Sequence, residues 1–348
     1  MKVLHLAAGN RWTGAAAPAF ADVAALREAG VDAHYAYVGG YKLEAKIGRL
    51  DYTHAIIAKA QNPFSFIASA SAIGRLLDHH GFDIVHAHLT YDHLLARFAT
   101  RGRASIARTY HSRKVIRSDP FATSLLTRTD VVCVINDSLR DAPPIRNREP
   151  LFTPPPVDAQ QFRPDGLDVR EKYAIKSDTL LVAVIGKLSK GRGFETALQT
   201  FADIQKRMPN SRLMIIGHGE HRPALENIAR DLGIASSVIW AGYHEDDLAD
   251  HYRAADFLLF TAKGSDEGHR AVIEAMACGT VPITAPLPGM EAIAGDLPLI
   301  ATDGDLAKHL LTRIDRLDDL REKVVDRAGE FTYARAAQRL LAAYSRVL

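Results

Sequence analysis

The stretch GSDEGHRAVIEAMACGTVPI, residues 264–283, sets an acidic loop before a helix that carries one glutamate, Glu274, among apolar residues. Ser265, Asp266 and Glu267 precede a first turn formed near Gly268, His269, Arg270 and Ala271. The free N–H groups of such a turn, together with the helix dipole, favour a phosphate. Glu274 lies two turns in, where an ionised carboxylate is costly to bury unless it is paired. A ribose offers two vicinal hydroxyls that one carboxylate can accept from at once; a salt bridge to a neighbour answers the same need. Asp266 stands where a sugar hydroxyl would lie, and it is also suited to capping the helix.

A second group follows an apolar run at residues 179–188. KLSKGRG, residues 187–193, brings Lys187 and Arg192 around a glycine-permissive turn at the start of another helix. Two cations with helix amides make a diphosphate clamp, where the plainer reading is a solvated basic loop. Gly217 and Gly219 flank His218 after a third apolar run and leave room for a planar ring near the backbone. In the EDD triplet at 245–247, Asp246 or Asp247 reads as a helix N-cap rather than a metal ligand.

The N-terminal half offers less. Gly9, Gly14 and Ala15 to Ala17 permit close approach to a helix start, suited to an anion or simply to a tight turn. The full dinucleotide glycine fingerprint is absent. His111 ends a strand and can hold a hydroxyl or a sugar, or serve structure alone. His86 and His88 alternate and so share one strand face; no third metal ligand accompanies them, and a polar strand end is the simpler reading.

These groups sit just after strands in an alternating β-α pattern. Strands are expected at 2–7, 31–39, 82–89, 104–111 and 129–136, with helices at 18–30, 65–80, 90–99 and 119–128. Residues 147–165 carry three consecutive prolines and read as a linker. Alternation restarts with strands at 179–188, 211–219, 238–243, 257–262 and 281–285. Helices are expected at 193–209, 222–234 and 246–256, and a last amphipathic helix at 333–348. The expectation is an α/β protein of two doubly wound halves, 1–155 and 165–330, whose ligands lie beyond the carboxyl ends of the strands, in a cleft between the halves.

The chain has 348 residues, 47% hydrophobic and 24% charged, with a net charge of +2. That balance suits a globular protein and gives no field to recruit nucleic acid. Cys133 and Cys278 both lie in apolar segments, which excludes a disulfide framework. The N-terminal apolar run is too short for a signal peptide, and no run approaches the ~18 apolar residues of a membrane span. A cytoplasmic location is expected. Residues 101–120 concentrate Arg and Lys around His111; they read either as scattered solvated charge or as a face for an anionic membrane.

Taken in order, these motifs resemble the GT-B glycosyltransferases, specifically the retaining group called glycosyltransferase family 4. The resemblance covers essentially the full length. The family's Gly-Arg-Leu-x-x-x-Lys-Gly loop is similar to Gly186, Lys187 and Leu188 through Arg192 and Gly193, and its G-x-G turn to Gly217-His218-Gly219. Its Glu-x7-Glu motif with Ala-Met-Ala-x-Gly is similar to Asp266 through Glu274 and AMACG. Val157, Asp158, Phe162 and Pro164 match its interdomain segment, and 333–348 its closing helix, which packs back on the first domain.

The resemblance implies transfer of a sugar from a nucleoside-diphosphate sugar to a hydroxyl acceptor, in glycan, lipopolysaccharide or glycolipid assembly. Lys187 and Arg192 would bind the diphosphate, Gly268 to Ala271 the distal phosphate, and Glu274 the ribose. Asp266 would face the donor sugar. The base, uracil rather than guanine, would lie near Gly217, Gly219 and Tyr243. His111 and the loop at Gly14 and Ala15 match positions that contact the acceptor or the transferred sugar. No metal or other cofactor is implied. The acceptor would be a carbohydrate or glycolipid, reached in the cytoplasm or at the inner membrane face. The chain departs from the family by exchanging Lys and Arg at 187 and 192, by Asp at 266, and by EGHRAV in place of Gly-Phe-Gly. An epimerase or hydrolase on the same scaffold, or a non-catalytic GT-B module, are the competing readings.

Overall fold

The computed structural model describes residues 1–348 except 10–13, 48–49, 61 and 262–268. The chain divides into two compact units, Met1–Pro156 with Thr332–Leu348, and Val157–Phe331. Each is built on a parallel sheet. The first holds β1 (Lys2–Ala7), β2 (Asp32–Val38), β3 (Thr53–Ile57), β4 (Ile84–Ala87), β5 (Ser105–Tyr110), β6 (Val131–Val134) and β7 (Leu151–Phe152) in the order β3-β2-β1-β4-β5-β6-β7. The second holds β8 (Leu180–Ile185), β9 (Ser211–Ile216), β10 (Val238–Gly242), β11 (Phe257–Phe260) and β12 (Val281–Thr284) in the order β10-β9-β8-β11-β12. Both are doubly wound, and their order reverses at β1/β4 and at β8/β11. Those switch points are where ligands of open α/β sheets collect.

The strands are near-continuous apolar runs because helices cover both faces. In β8, LLVAVI, five of six residues are buried. Local signals set the helix ends. Asn62 caps the helix Pro63–His80 by accepting from the Ser65 N–H at 2.9 Å, Pro63 supplies its first turn, and Gly81, at φ 64°, ends it.

Several elements are absent from the sequence reading. β3 is only partly buried, so its alternation is weak, and the short helix Lys42–Ile47 before it carries three charges in six residues. The proline-rich stretch read as linker contributes β7, which pairs Cys133 with Leu151 and Val134 with Phe152. The helix Leu317–Ala328 shows only Leu320, Val324 and Ala328 to the core, too narrow a stripe to stand out from its charges. Among the described residues no helix is long and apolar enough to cross a membrane.

The helix Tyr333–Tyr344 returns to the first unit and packs on the helix Ala16–Glu28, with Ala25, Ala336 and Ala337 at the contact. Leu340, Ala343 and Tyr344 enter the core beside Val23 and Leu26. Burying such a side chain is worth about 1.5–3 kcal/mol. The Tyr344 hydroxyl lies 2.6 Å from His86 Nδ1 and 3.3 Å from His5 Nε2. Tyr344→Phe keeps the ring and removes that oxygen, leaving two buried imidazole nitrogens, His86 Nδ1 and His5 Nε2, unsatisfied. A loss of about 1–3 kcal/mol in denaturant unfolding is expected; an unchanged midpoint would show the hydroxyl to be idle.

Candidate functional site

At the β8/β11 switch point the loops are stitched together by their own backbones. Gly186 N–H donates to Ile216 O, Leu188 N–H to His218 O and Gly217 N–H to Gly242 O, at 3.0, 3.0 and 2.6 Å. A side chain at Gly217, where φ is +140°, would overlap the Gly186 carbonyl, and one at Gly219 would overlap the Leu188 carbonyl. A side chain at Gly193 would overlap the Thr261 carbonyl. The sequence reading gave Gly217 and Gly219 to an approaching ring. In the fold the space a side chain would take at these glycines is filled by the neighbouring loop.

Lys187 projects from this platform into solvent, with Glu220 4.0 Å away and both side chains more than half exposed. Such a pair holds a lysine weakly and leaves its charge available. Arg192 is half-buried in the same loop, just before Gly193, the N-cap of the helix Phe194–Arg207. Glu195 opens that helix and accepts from His221 Nε2 at 2.7 Å, so its charge is turned toward the β9 loop. Tyr243 is exposed, its hydroxyl donating to Glu245 at 3.0 Å and its ring edge-on to His218.

Asp266, Glu267 and Gly268 lie outside the described residues. The description resumes at His269, which adopts left-handed φ 54° as N-cap of the helix Arg270–Ala277 and places its Nε2 3.0 Å from Pro288 O. Glu274 is 6% exposed. Its carboxylate meets Arg270 Nε at 3.1 Å, one turn back, and accepts from the Tyr252 hydroxyl at 3.3 Å. The neighbour that a buried Glu274 demands is therefore present on its own helix. Burial first, and Glu274 second, hold the Tyr252 phenol protonated, well above its usual range. Asp247 occupies the N-cap position of Leu248–Ala254 but makes no side-chain cap bond; its carboxylate takes His244 Nδ1 at 2.8 Å and faces Lys172. An imidazole beside it outcompetes the helix amides, contrary to the capping expected there.

Among the described residues of this unit, a further groove runs between Phe194–Arg207 and Leu306–Leu311, lined by Glu195, Asp203 and Asp305. Its acidic lining makes it a poor phosphate site.

In the first unit, the β1/β4 switch point is organised by Asp92. Its buried carboxylate accepts from the N–H groups of Ala8 and Leu89, both at 2.7 Å, and His88, at 3.4 Å. This fixes the loop after β1 to the start of the helix Thr90–Thr100. Burial pushes the Asp92 carboxyl up to about 7, against those amides and Arg108. Gly14 follows with φ 65°, and Ala15 caps Ala16–Glu28 in a helical conformation; residues 10–13 lie outside the description.

His86 and His88 are joined by His5, the third ring that the sequence did not disclose, and their ligand atoms lie within 4.8 Å of one another. This is a hydrogen-bonded cluster rather than a metal centre, because every ring nitrogen has a partner. His5 Nδ1 meets His88 Nε2 at 2.9 Å, His86 Nε2 meets Thr109 at 2.7 Å, and Tyr344 takes the remaining nitrogens of His5 and His86. His88 Nδ1 meets His111 Nε2 at 3.0 Å. His111 thus stands at the end of an interior chain of imidazoles, and its Nδ1 is buried with no hydrogen-bond partner among the described residues. Arg108, inside the basic stretch read as a solvated or membrane-facing surface, is 1% exposed, with Nε and Nη1 unpartnered and its guanidinium 4.9 Å over the Tyr110 ring. Arg103 pairs with Asp78 and Arg117 with Asp119, so that stretch shows less net charge than its composition promises.

Residues 167–331 match the model of the family described as Glycosyl transferases group 1, and residues 22–142 that of Glycosyltransferase Family 4. The D-inositol 3-phosphate glycosyltransferase of Segniliparus rotundus is 30% identical over 209 residues, 56% of this chain and 46% of that protein. The GDP-mannose-dependent alpha-(1-6)-phosphatidylinositol monomannoside mannosyltransferase of Mycolicibacterium smegmatis is 32% identical over 146 residues, 39% and 38% of the two chains. The matched stretches span about half or less of these relatives' length. Among solved structures, a glycosyltransferase from Rickettsia africae superposes with a TM-score of 0.83 at 15% identity, over 99% of this chain and 98% of that one. Anabaena HepE, in complex with UDP and glucose, gives 0.79 at 15% identity over the whole of both chains. At such identity these two show the fold alone.

Two predictions follow from the geometry. Gly217→Ala pushes a methyl into the Gly186 carbonyl at a backbone conformation that side chains rarely adopt; a loss of about 2–4 kcal/mol is expected in denaturant unfolding, and a neutral variant would mean the loops can part. The second concerns acid. Burial holds His5, His93 and His111 down at about 3, and His86 and His88 well below 6.5. Their folded values lie below the unfolded one, so their contribution is full above pH 6.5 and is lost as pH falls toward 3. Asp92 works oppositely, since its raised value favours folding most below pH 4 and loses that contribution as pH climbs toward 7. Asp22, also buried and raised, acts with Asp92, while His54, held at about 4, adds to the histidines. The histidines outweigh the two carboxyls, at about 1.4 kcal/mol per pH unit for each proton. Unfolding free energy should fall by more than about 3 kcal/mol per pH unit between pH 6.5 and 5; a slope of one proton or less would mean the cluster charges while folded.

Proposed function

Because this chain belongs to the group 1 glycosyltransferases of family 4, we propose that it transfers a sugar, with retention of anomeric configuration, from a nucleoside-diphosphate sugar to a hydroxyl acceptor. The observation that carries this reading is the pair of cations, Lys187 and Arg192, on the rigid loop at the β8/β11 switch point of the unit that matches group 1.

In this reading Lys187 and Arg192 take the diphosphate, with the amides from Gly268 through Ala271 on its distal phosphate. Glu274 takes the ribose hydroxyls, giving up part of its pairing with Arg270 and Tyr252 as it does so. Asp266 faces the donor sugar. The base lies against the loops of Gly217, Gly219 and Tyr243, close-packed backbone that gives a planar ring a flat support. His111 and the loop at Gly14 and Ala15 serve the acceptor or the transferred sugar. The neutral state of His111, with Nδ1 unpartnered, suits it to hold a hydroxyl.

The chemistry is a substitution at the anomeric carbon. The bond from that carbon to the phosphate oxygen breaks, an oxocarbenium-like centre forms, and the acceptor hydroxyl bonds to the same face. Its proton passes to the departing diphosphate. The protein's part is electrostatic, since charge grows on the leaving diphosphate and fixed cations and amides meet it without reorganising. Nothing in this scheme requires a metal or a nucleophilic carboxylate. UDP is placed ahead of GDP: HepE, similar over its full length, is described in complex with UDP and with UDP-glucose. The mannosyltransferase named above is GDP-mannose-dependent, so both bases belong in the test. The acceptor is read as a carbohydrate or glycolipid, and contact with an anionic inner membrane face is part of that proposal.

The test is calorimetry with UDP, GDP, ADP and their common sugars, with and without Mg²⁺, on the wild type, Lys187→Ala, Arg192→Ala and Glu274→Gln. One nucleotide should bind independently of Mg²⁺ and about 10-fold or more weakly to Glu274→Gln, whose thermal unfolding checks that the helix is intact. With the matching acceptor, Arg192→Ala should lower kcat about 10²-fold. Sugar released without an acceptor would turn the reading to a hydrolase or epimerase, and no nucleotide binding to a non-catalytic module.

A further inference from the structure

Three histidines from separate elements meet at the opposite end of the first sheet from the switch point. His34 comes from the start of β2, His54 from the start of β3, and His80 from the last turn of the helix Pro63–His80. Their nearest ring nitrogens all lie within 4.8 Å of one another. His34 is buried, whereas His54 and His80 are half-exposed, so water and small ions reach the cluster.

The rings are held in a way that the interior His5–His86–His88 cluster is not. His34 Nε2 lies 2.9 Å from the Asp32 carboxylate, two residues back on the same strand face. That contact fixes the ring and turns Nδ1 inward, to 2.8 Å from His54 Nε2. A carboxylate behind an imidazole whose other nitrogen faces a common centre is the support that metal-ligating histidines usually have. Phe82 braces two of the rings, edge-on to His34 and stacked on His80 at 5.3 Å. Among the described residues the ring nitrogens of His80 and Nδ1 of His54 have no hydrogen-bond partner, whereas every nitrogen of the interior trio is taken.

We propose that His34 Nδ1, His54 and His80 bind a divalent transition metal of the zinc class, with Asp32 orienting His34 from behind. Three imidazoles and an open fourth position are a ligand set that suits Zn²⁺, Cu²⁺ or Ni²⁺ and excludes Mg²⁺ and Ca²⁺, which take oxygen ligands. Metal–nitrogen bonds of about 2.0–2.1 Å put tetrahedral nitrogens about 3.3 Å apart. Closing from 4.8 Å needs a small rotation of His54 and His80, which their exposure permits. The charge balance is set by Asp32, whose second oxygen faces Lys2 Nζ at 3.9 Å. His79 is edge-on to His80, with ring centroids 4.8 Å apart. The site lies away from the strand ends assigned to substrate and rests on no assumption about the reaction. Its effect is on the fold: a metal there ties β2, β3 and the helix Pro63–His80 to one point.

The experiment uses the full chain, freed of metal by a chelator that is then removed. Zn²⁺ is titrated by calorimetry and against a chromophoric chelator, and Co²⁺ is bound in parallel for its absorption spectrum. One equivalent of Zn²⁺ should bind and raise the unfolding temperature, and Co²⁺ should show the intense bands of a four-coordinate ion. His54→Ala and His80→Ala, at half-exposed positions, should each weaken binding at least ~10-fold and abolish the thermal shift. Asp32→Asn should weaken it about 10-fold while leaving the ligands in place. His34→Ala removes a buried ring and is informative only where the protein still folds. His244→Ala is the control, since His244, Asp247 and His251 form another such group in the second unit. No binding, binding unchanged in His54→Ala and His80→Ala, or binding lost only in His244→Ala would each overturn the proposal.

Discussion

A single phenolic oxygen organises the first unit. Tyr344 comes from the last helix and sets its hydroxyl between His86 and His5, two rings at the centre of the sheet. Parallel strands covered on both faces leave no solvent for polar side chains, so each imidazole needs a partner inside. Tyr344 satisfies two of them, Thr109 another nitrogen, and His88 passes the chain on to His111. The position of His111 at the strand end thus follows from contacts made far behind it, and its neutrality from burial first and the charge of Arg108 second. The helix that brings Tyr344 is held in turn by alanines against the helix Ala16–Glu28, where small side chains let the two backbones approach.

The second unit reaches a rigid strand-end surface by another route. Its loops lean on backbone carbonyls rather than on side chains, and glycine at 193, 217 and 219 is what lets them. A surface built this way varies little with the side chains it displays. Lys187, Arg192 and Tyr243 can then differ between related chains without disturbing the floor they stand on. The exchange of Lys and Arg at 187 and 192 is of that kind, since charge stays in place while the geometry of its delivery changes.

Much of this was legible in the sequence, and the rest was hidden for physical reasons. The positions of strands and switch-point loops follow from apolar runs and glycines, and both sheets are parallel and doubly wound as the alternation implies. Alternation also put His86 and His88 on one face. It could not show His5, which meets them across 83 residues of chain. Arg108 sat in a basic stretch and read as solvent-facing, yet β5 carries it inside, because strand period and not composition decides which way a side chain points. β7 hid in a run of prolines: two residues suffice to add an edge strand, too few to give a pattern. Glu274 was read as a carboxylate in need of a partner, and Arg270 was four residues away in plain sight.

The first unit is discontinuous, its last helix separated from the rest by the whole of Val157–Phe331. On a ribosome the sheet of β1 to β7 emerges long before Tyr344 does. Through that interval His5 and His86 lie on an uncovered face with no hydroxyl to meet them, while the second unit, continuous in sequence and closed by the Val157 N–H on Phe331 O at 2.8 Å, can complete itself. The order of synthesis is therefore the reverse of the order of completion: the unit begun first is sealed last. A nascent chain of this topology leaves the apolar face under its last helix uncovered for longest, and that is a surface a holdase would meet.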